Sequence, residues 1–112
     1  MGDYEKLMER LAIMEYHQKL LIKLIRDPKL EFYRLIVEKG ISEAEVQKFY
    51  QKCDQLTIKL TEQKAEGFVY FQPLFEEFST SLPGKLNIHE AIRACLTQKL
   101  YEPLFEELKR YL

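Results

Sequence analysis

A five-residue string, Pro73-Leu74-Phe75-Glu76-Glu77, returns thirty residues later as Pro103-Leu104-Phe105-Glu106-Glu107. The correspondence extends past identity: Phe71 answers to Tyr101, Phe78 to Leu108 and Leu82 to Leu112. In each copy a proline opens the string, two apolar residues follow, then two acids, then apolar positions one and two turns on. Proline holds φ at a helical value and needs no N–H in a first turn, and acids near that end complement the helix dipole. The apolar spacing leaves one stripe to bury. The repeat therefore describes one amphipathic helix used twice as a packing element, and it is not a reactive motif.

The rest of the chain is built for helices. Leu, Glu, Lys and Gln dominate, all good helix formers, while four Gly, four Pro and a single Asn leave little material for hairpin turns. At 112 residues the expectation is one domain spanning 1–112. It should be an all-α, compact multihelical bundle of about five helices, with two long amphipathic helices organising the core.

Charge patterning narrows the function classes. Seventeen basic residues face eighteen acidic ones, a net charge of −1, and the balance holds within each half. No domain-wide field would gather nucleic acid or an anionic membrane surface. No apolar run approaches the ~20 residues of a bilayer span. Met1-Gly2-Asp3-Tyr4-Glu5-Lys6 lacks the basic and apolar regions of a signal peptide. The expectation is a soluble, cytoplasmic protein.

Helix one is expected from about Tyr4 to Ile25. Its inner stripe reads Tyr4, Leu7, Leu11, Met14, Gln18, Leu21 and Ile25, a heptad seam with one polar interruption. Met8, Ile13, Leu20 and Leu24 widen the apolar surface. Asp27-Pro28 supplies an N-cap and a first helical residue for helix two, which Gly40 ends near Lys39. Ser42 and Glu45 are spaced as a capping box, with Ile41 and Val46 as a hydrophobic staple. Helix three, to about Ala65, carries a second seam of Val46, Phe49, Cys53, Leu56 and Leu60. Gly67 closes it, and an aromatic segment leads into a short helix from Pro73 to about Ser79. Asn87 and Glu90 suggest another capping box, opening a final helix near Ile88 that kinks or breaks at Pro103.

Reactive chemistry is poorly provided for. His89-Glu90-Ala91-Ile92-Arg93 approaches the His-Glu-x-x-His zinc helix, but Arg93 stands where the second ligand must be. His17 has no ligand partner one turn away. There is no Gly-x-Ser-x-Gly elbow and no Gly-rich phosphate loop. The Glu76-Glu77 and Glu106-Glu107 pairs are explained by their place one turn into a proline-started helix, as dipole complementarity and solvation. The expectation is no enzyme, no metal and no cofactor. Helix two, Gly40 and helix three trace a helix-turn-helix outline. Ile36 is bulky where the two helices should approach closely, and Ser42-Glu43-Ala44-Glu45 offers acid where phosphate would sit.

Phe68, Tyr70, Phe71, Phe75 and Phe78 fall within eleven residues. With three helices already widely apolar, part of this aromatic surface should face another molecule. Phe68, Tyr70, Phe71 and Phe75 are the candidate subunit interface. The leading expectation is a self-associating interaction or scaffold protein and homo-oligomer, with an unknown protein partner as a further possibility. An apolar-ligand bundle lined by Phe and Tyr comes second, and a degenerate helix-turn-helix DNA binder third.

Phe32-Tyr33-Arg34-Leu35-Ile36-Val37-Glu38-Lys39-Gly40, Ser42-Glu43-Ala44-Glu45 and Gly67-Phe68-Val69-Tyr70-Phe71-Gln72-Pro73-Leu74 follow one another in an order that resembles the YhaI-like proteins. These are small uncharacterised helical proteins of spore-forming Gram-positive bacteria. The resemblance implies an all-α fold and oligomerisation. It brings no activity and no functional residue.

Overall fold

The protein is described here by a computed structural model covering residues 2–112. Among the described residues there are six α-helices and no strand: α1 Gly2–Arg26, α2 Glu31–Lys39, α3 Glu43–Ala65, α4 Gln72–Ser81, α5 Ile88–Thr97 and α6 Glu102–Leu108, closed by a 3-10 turn Lys109–Tyr111. The count exceeds the expected five because the chain breaks completely between α5 and α6.

The central element is α3. Its seam of Val46, Phe49, Cys53, Leu56 and Leu60 is buried along its whole length, as the spacing requires. Phe49 is the hub. Its ring stacks on Phe32 of α2 at 4.9 Å, meets Phe78 of α4 edge-on at 5.9 Å and lies parallel to Phe105 of α6 at 6.5 Å. Phe78 and Phe105 meet each other at 5.3 Å. Such offset and edge-on geometries suit the aromatic quadrupole and add to simple burial.

The two copies of the repeat dock on α3 as α4 and α6. Leu74 and Leu104 are buried, as are Phe78 and Leu108. The second acid of each copy reaches lysines of α3. Glu77 binds Lys59 at 2.8 Å and Lys52 at 3.9 Å, and Glu107 binds Lys64 at 3.5 Å and its neighbour Arg110 at 2.9 Å. The aromatic preceding each copy occupies the N-cap position in a different backbone state. Phe71 has φ −126°, whereas Tyr101 is left-handed at +50°.

Helix ends show how local chemistry sets the boundaries. Ser42 and Glu45 form the expected reciprocal capping box. Gly40, at φ +68°, ends α2 in a Schellman turn with Ile41 N–H donating to the Ile36 carbonyl at 3.0 Å. The same turn ends α5 without a glycine: Lys99 takes φ +63°, and Leu100 N–H donates to the Cys95 carbonyl at 2.8 Å. This places the break at Lys99–Tyr101, ahead of Pro103. Asn87 caps α5 from its side chain. Glu90 does not complete a box there, because its carboxylate pairs with Lys39 at 3.7 Å.

Two expectations are corrected here. Helix two starts at Glu31, three residues after Pro28. Asp27 does accept a bond from Lys29 N–H, but it closes a turn rather than the helix. The cap of α2 comes from far away: the Gln98 side-chain carbonyl at the end of α5 accepts from Phe32 N–H at 2.9 Å and Tyr33 N–H at 3.2 Å. The second correction concerns α1. Its expected inner stripe points outward, and Leu20 is the one α1 residue that is fully buried. α1 joins the body through α2, so α3 alone organises the core.

The Gln98 bond generates a test. Gln98→Ala leaves two half-buried N–H groups without an acceptor and should destabilise the fold by about 1–2 kcal/mol. Thermal unfolding should shift down by roughly 5–10 °C. An unchanged melting temperature would show that water caps α2 as well as Gln98 does.

Candidate interaction surface

An α-helix turns about 100° per residue, so one helix can carry two separate apolar stripes. α1 does. Ile13, Tyr16, His17, Leu20 and Leu24 face the body and are at least partly buried. His17 fixes the helix: its Nε2 donates to the Ile41 carbonyl at 2.7 Å, beside the α2–α3 turn. Lys23 lies over the Tyr33 ring of α2 at 5.5 Å. Ile13 lies beside the first turn of α3, around Ser42–Glu45.

The other stripe lies beside the first, with His17 at their shared edge, and is left largely in solvent. Tyr4, Leu7, Met8, Leu11, Met14, Leu21, Ile22 and Ile25 each leave between 46% and 82% of their surface in solvent. Residues 2–12 are all exposed. A free helical segment that short is marginal in water, because nucleation costs more than a few turns return. Between the outer side chains runs a shallow groove of about 720 Å³, lined by Met8, Leu11, Met14, Gln18 and Leu21 and edged by Glu15 and His17. Hollows between seam residues are what the side chains of a second helix fill.

The aromatic segment divides. Phe71 is 1% exposed and belongs to the core, its N–H donating to the Tyr111 hydroxyl at 2.8 Å. Phe75 is half-buried against Tyr111, at 6.0 Å between rings. Phe68, Val69 and Tyr70 are exposed. They follow the C-terminal end of α3, whereas α1 meets its N-terminal end. The helix spans Glu43–Ala65, so roughly 34 Å separate the two surfaces.

Other candidate chemistry does not assemble. Among the described residues, no three His, Cys, Asp or Glu side chains come together as a metal site. His89 is exposed and Cys95 is buried, so they do not converge. The first turn of α3 presents Glu43 and Glu45 and sits beside Glu9 of α1, which sets acid where a DNA phosphate would lie. A groove of about 410 Å³ between α2 and α5 is lined by Glu31, Arg34, Glu38, Lys39, Glu90 and Arg93, partly paired with one another. The inward Phe and Tyr rings pack on each other. Among the described residues, no helix is long and apolar enough to cross a membrane.

From residue 4 to residue 112 the chain matches the model of a family described as Protein of unknown function (DUF1878). The chain belongs to the DUF1878 family. The matched stretch takes in the outer stripe of α1 from Tyr4 onward, together with both copies of the repeat. The DUF1878 description assigns no activity, so the family transfers no functional residue to this chain.

The buried groups respond to pH in a way that checks the packing. Burial, aided by the neighbouring Asp54, pushes the Cys53 thiol up to about 12, and burial likewise raises Cys95. Burial also raises Tyr16, to about 12, with Glu43 and Tyr33 adding to it. Burial raises Tyr50 and Tyr101 as well, the latter helped by its 2.9 Å bond to Asp54. In the unfolded chain the thiols ionise near pH 8.5–9 and the tyrosines near 10. The unfolded state then holds fewer protons than the native one, so stability falls as pH rises. Urea midpoints should be flat up to about pH 8.5 and decline from there toward pH 12. A midpoint that holds steady to pH 11 would place these groups in water.

Proposed function

We propose that this protein is an interaction protein that assembles with itself in the cytoplasm, has no catalytic chemistry of its own, and uses the outer stripe of α1 as its principal contact. The observation that carries this reading is the second apolar stripe on α1. Its residues keep a heptad spacing through three repeats yet cover nothing within the subunit. Contiguous exposed apolar surface of this kind marks a binding face. The seam residues also sit on a helix whose first turns are exposed throughout, so docking would order the helix as well as cover it. The resemblance to YhaI-like proteins points the same way, since it implies oligomerisation. Phe68 and Tyr70 stay in the reading as a smaller second contact at the far end of α3. Phe71 and Phe75 would act there by supporting the backbone from within.

Light-scattering mass at tens of micromolar should therefore read about twice the 13.4 kDa of the subunit, or a larger multiple. Leu11→Glu combined with Met14→Glu should return it to 13.4 kDa while the core keeps its melting transition, because neither side chain is buried in the subunit. A subunit mass for the unaltered chain, or an oligomer indifferent to these two glutamates, would overturn the reading.

A further inference from the structure

We propose that the occupant of the α1 stripe is the α1 helix of a second copy, lying parallel and in register as a two-stranded coiled coil. This rests on the self-association reading above and adds the orientation. Tyr4, Leu11, Gln18 and Ile25 then take the a positions, and Leu7, Met14 and Leu21 the d positions. The gaps alternate three and four without a slip, over roughly 32 Å of helix. A single polar residue among apolar a positions is a device that fixes the register and the number of strands, and Leu7 and Leu21 at d suit a two-stranded pair.

Gln18 carries the first part of the orientation. It is exposed on the outer stripe, in the middle of otherwise apolar seam positions. In a parallel, in-register pair it meets its own copy across the axis. Each side-chain amide can then donate to the other's carbonyl, so the polar layer satisfies itself. In an antiparallel pair of full overlap Gln18 would face Met14 of the other copy and lose its water for nothing.

Charge carries the second part. Arg10 occupies a g position and Glu15 the e position five residues on, the separation that pairs g with e across a parallel coiled coil. Both are exposed, and among the described residues neither joins a salt bridge within its own subunit. The parallel pair makes this contact twice by symmetry. The antiparallel pair of full overlap brings Glu15 against Glu15 instead. Ile13, Tyr16 and Leu20 hold each body from c and f positions, away from the seam, while His17 and Leu24 hold it from g positions on one flank, so each body sits to the outer side of its own helix.

Cysteine pairing reads the orientation directly. Leu7→Cys and Ile25→Cys, in separate full-length chains, should each self-link as a covalent dimer under mild oxidation. The native Cys53 and Cys95 are buried and should leave the unaltered chain unlinked. Arg10→Glu should weaken dimerisation about fivefold, and adding Glu15→Arg should restore it, since two symmetric pairs are reversed together. If the chain dimerises but the two cysteine variants link only when mixed with each other, the pair is antiparallel and the proposal fails while self-association stands. A dimer in which neither site links under any mixing puts the contact elsewhere and overturns the proposal. A monomeric chain overturns both readings.

Discussion

The stacking of Phe32, Phe78 and Phe105 around Phe49 is the contact on which the rest of this structure depends. Three helices distant in sequence deliver one ring each to a single position of α3. Each ring is 0–4% exposed. Removing any one would open a cavity that the other three could not fill without leaving their rotamers, a change that typically costs several kcal/mol. The cluster closes the core using α2 to α6. α1 is left outside the closure, attached by Leu20, the His17 bond and the Lys23–Tyr33 contact. A core that is complete without most of α1 is what makes the outer stripe of α1 available to another molecule.

The internal repeat serves that core. α4 and α6 present the same face to α3, and each sends its second glutamate to α3 lysines. The two contacts differ in environment. Glu77 remains partly in water, where such pairs contribute little. Glu107 is 7% exposed and held by both Lys64 and Arg110, so its charge needs those partners. The aromatic ahead of each copy is tied by hydrogen bonds of different kinds. Phe71 is held through its N–H by Tyr111, and Tyr101 through its hydroxyl by Asp54 and the Tyr50 carbonyl. One sequence device has been fitted to two entry geometries, a loop before α4 and a left-handed turn before α6.

Features that depend on neighbouring residues were legible in the sequence. The Ser42–Glu45 box, the Gly40 stop, the buried seam of α3 and the packing role of the repeat all follow from spacings of seven residues or fewer. Features set at long range were not. Nothing near Glu31 announces that Gln98, 66 residues away, caps its helix. No glycine marks the left-handed turn at Lys99, because its hydrogen bonds, and not its side chain, hold the geometry. The heptad of α1 was visible as a seam, but a helix with two apolar stripes does not say which one faces its own body. The stripe with the more regular spacing faces outward, and the less regular one packs. The aromatic segment was visible as a cluster, yet the division between core Phe71 and exposed Phe68 and Tyr70 depends on where α4 turns to meet Tyr111. The resulting candidate surface is therefore on α1, away from the α3–α4 connection that the aromatic count favoured.

The central claim is that the outer stripe of α1 is covered by another copy. Hydrogen exchange at residues 4–12, followed as a function of protein concentration, tests it most directly. Those residues are all exposed in the subunit, where only Glu9 and Ala12 come beside the first turn of α3, so association is what should protect their amides beyond the level of a fraying helix. The account predicts slow exchange at high micromolar concentration that becomes fast on dilution, while the amides of α3 around Phe49 stay protected throughout. Exchange at residues 4–12 that is fast at every concentration would contradict it.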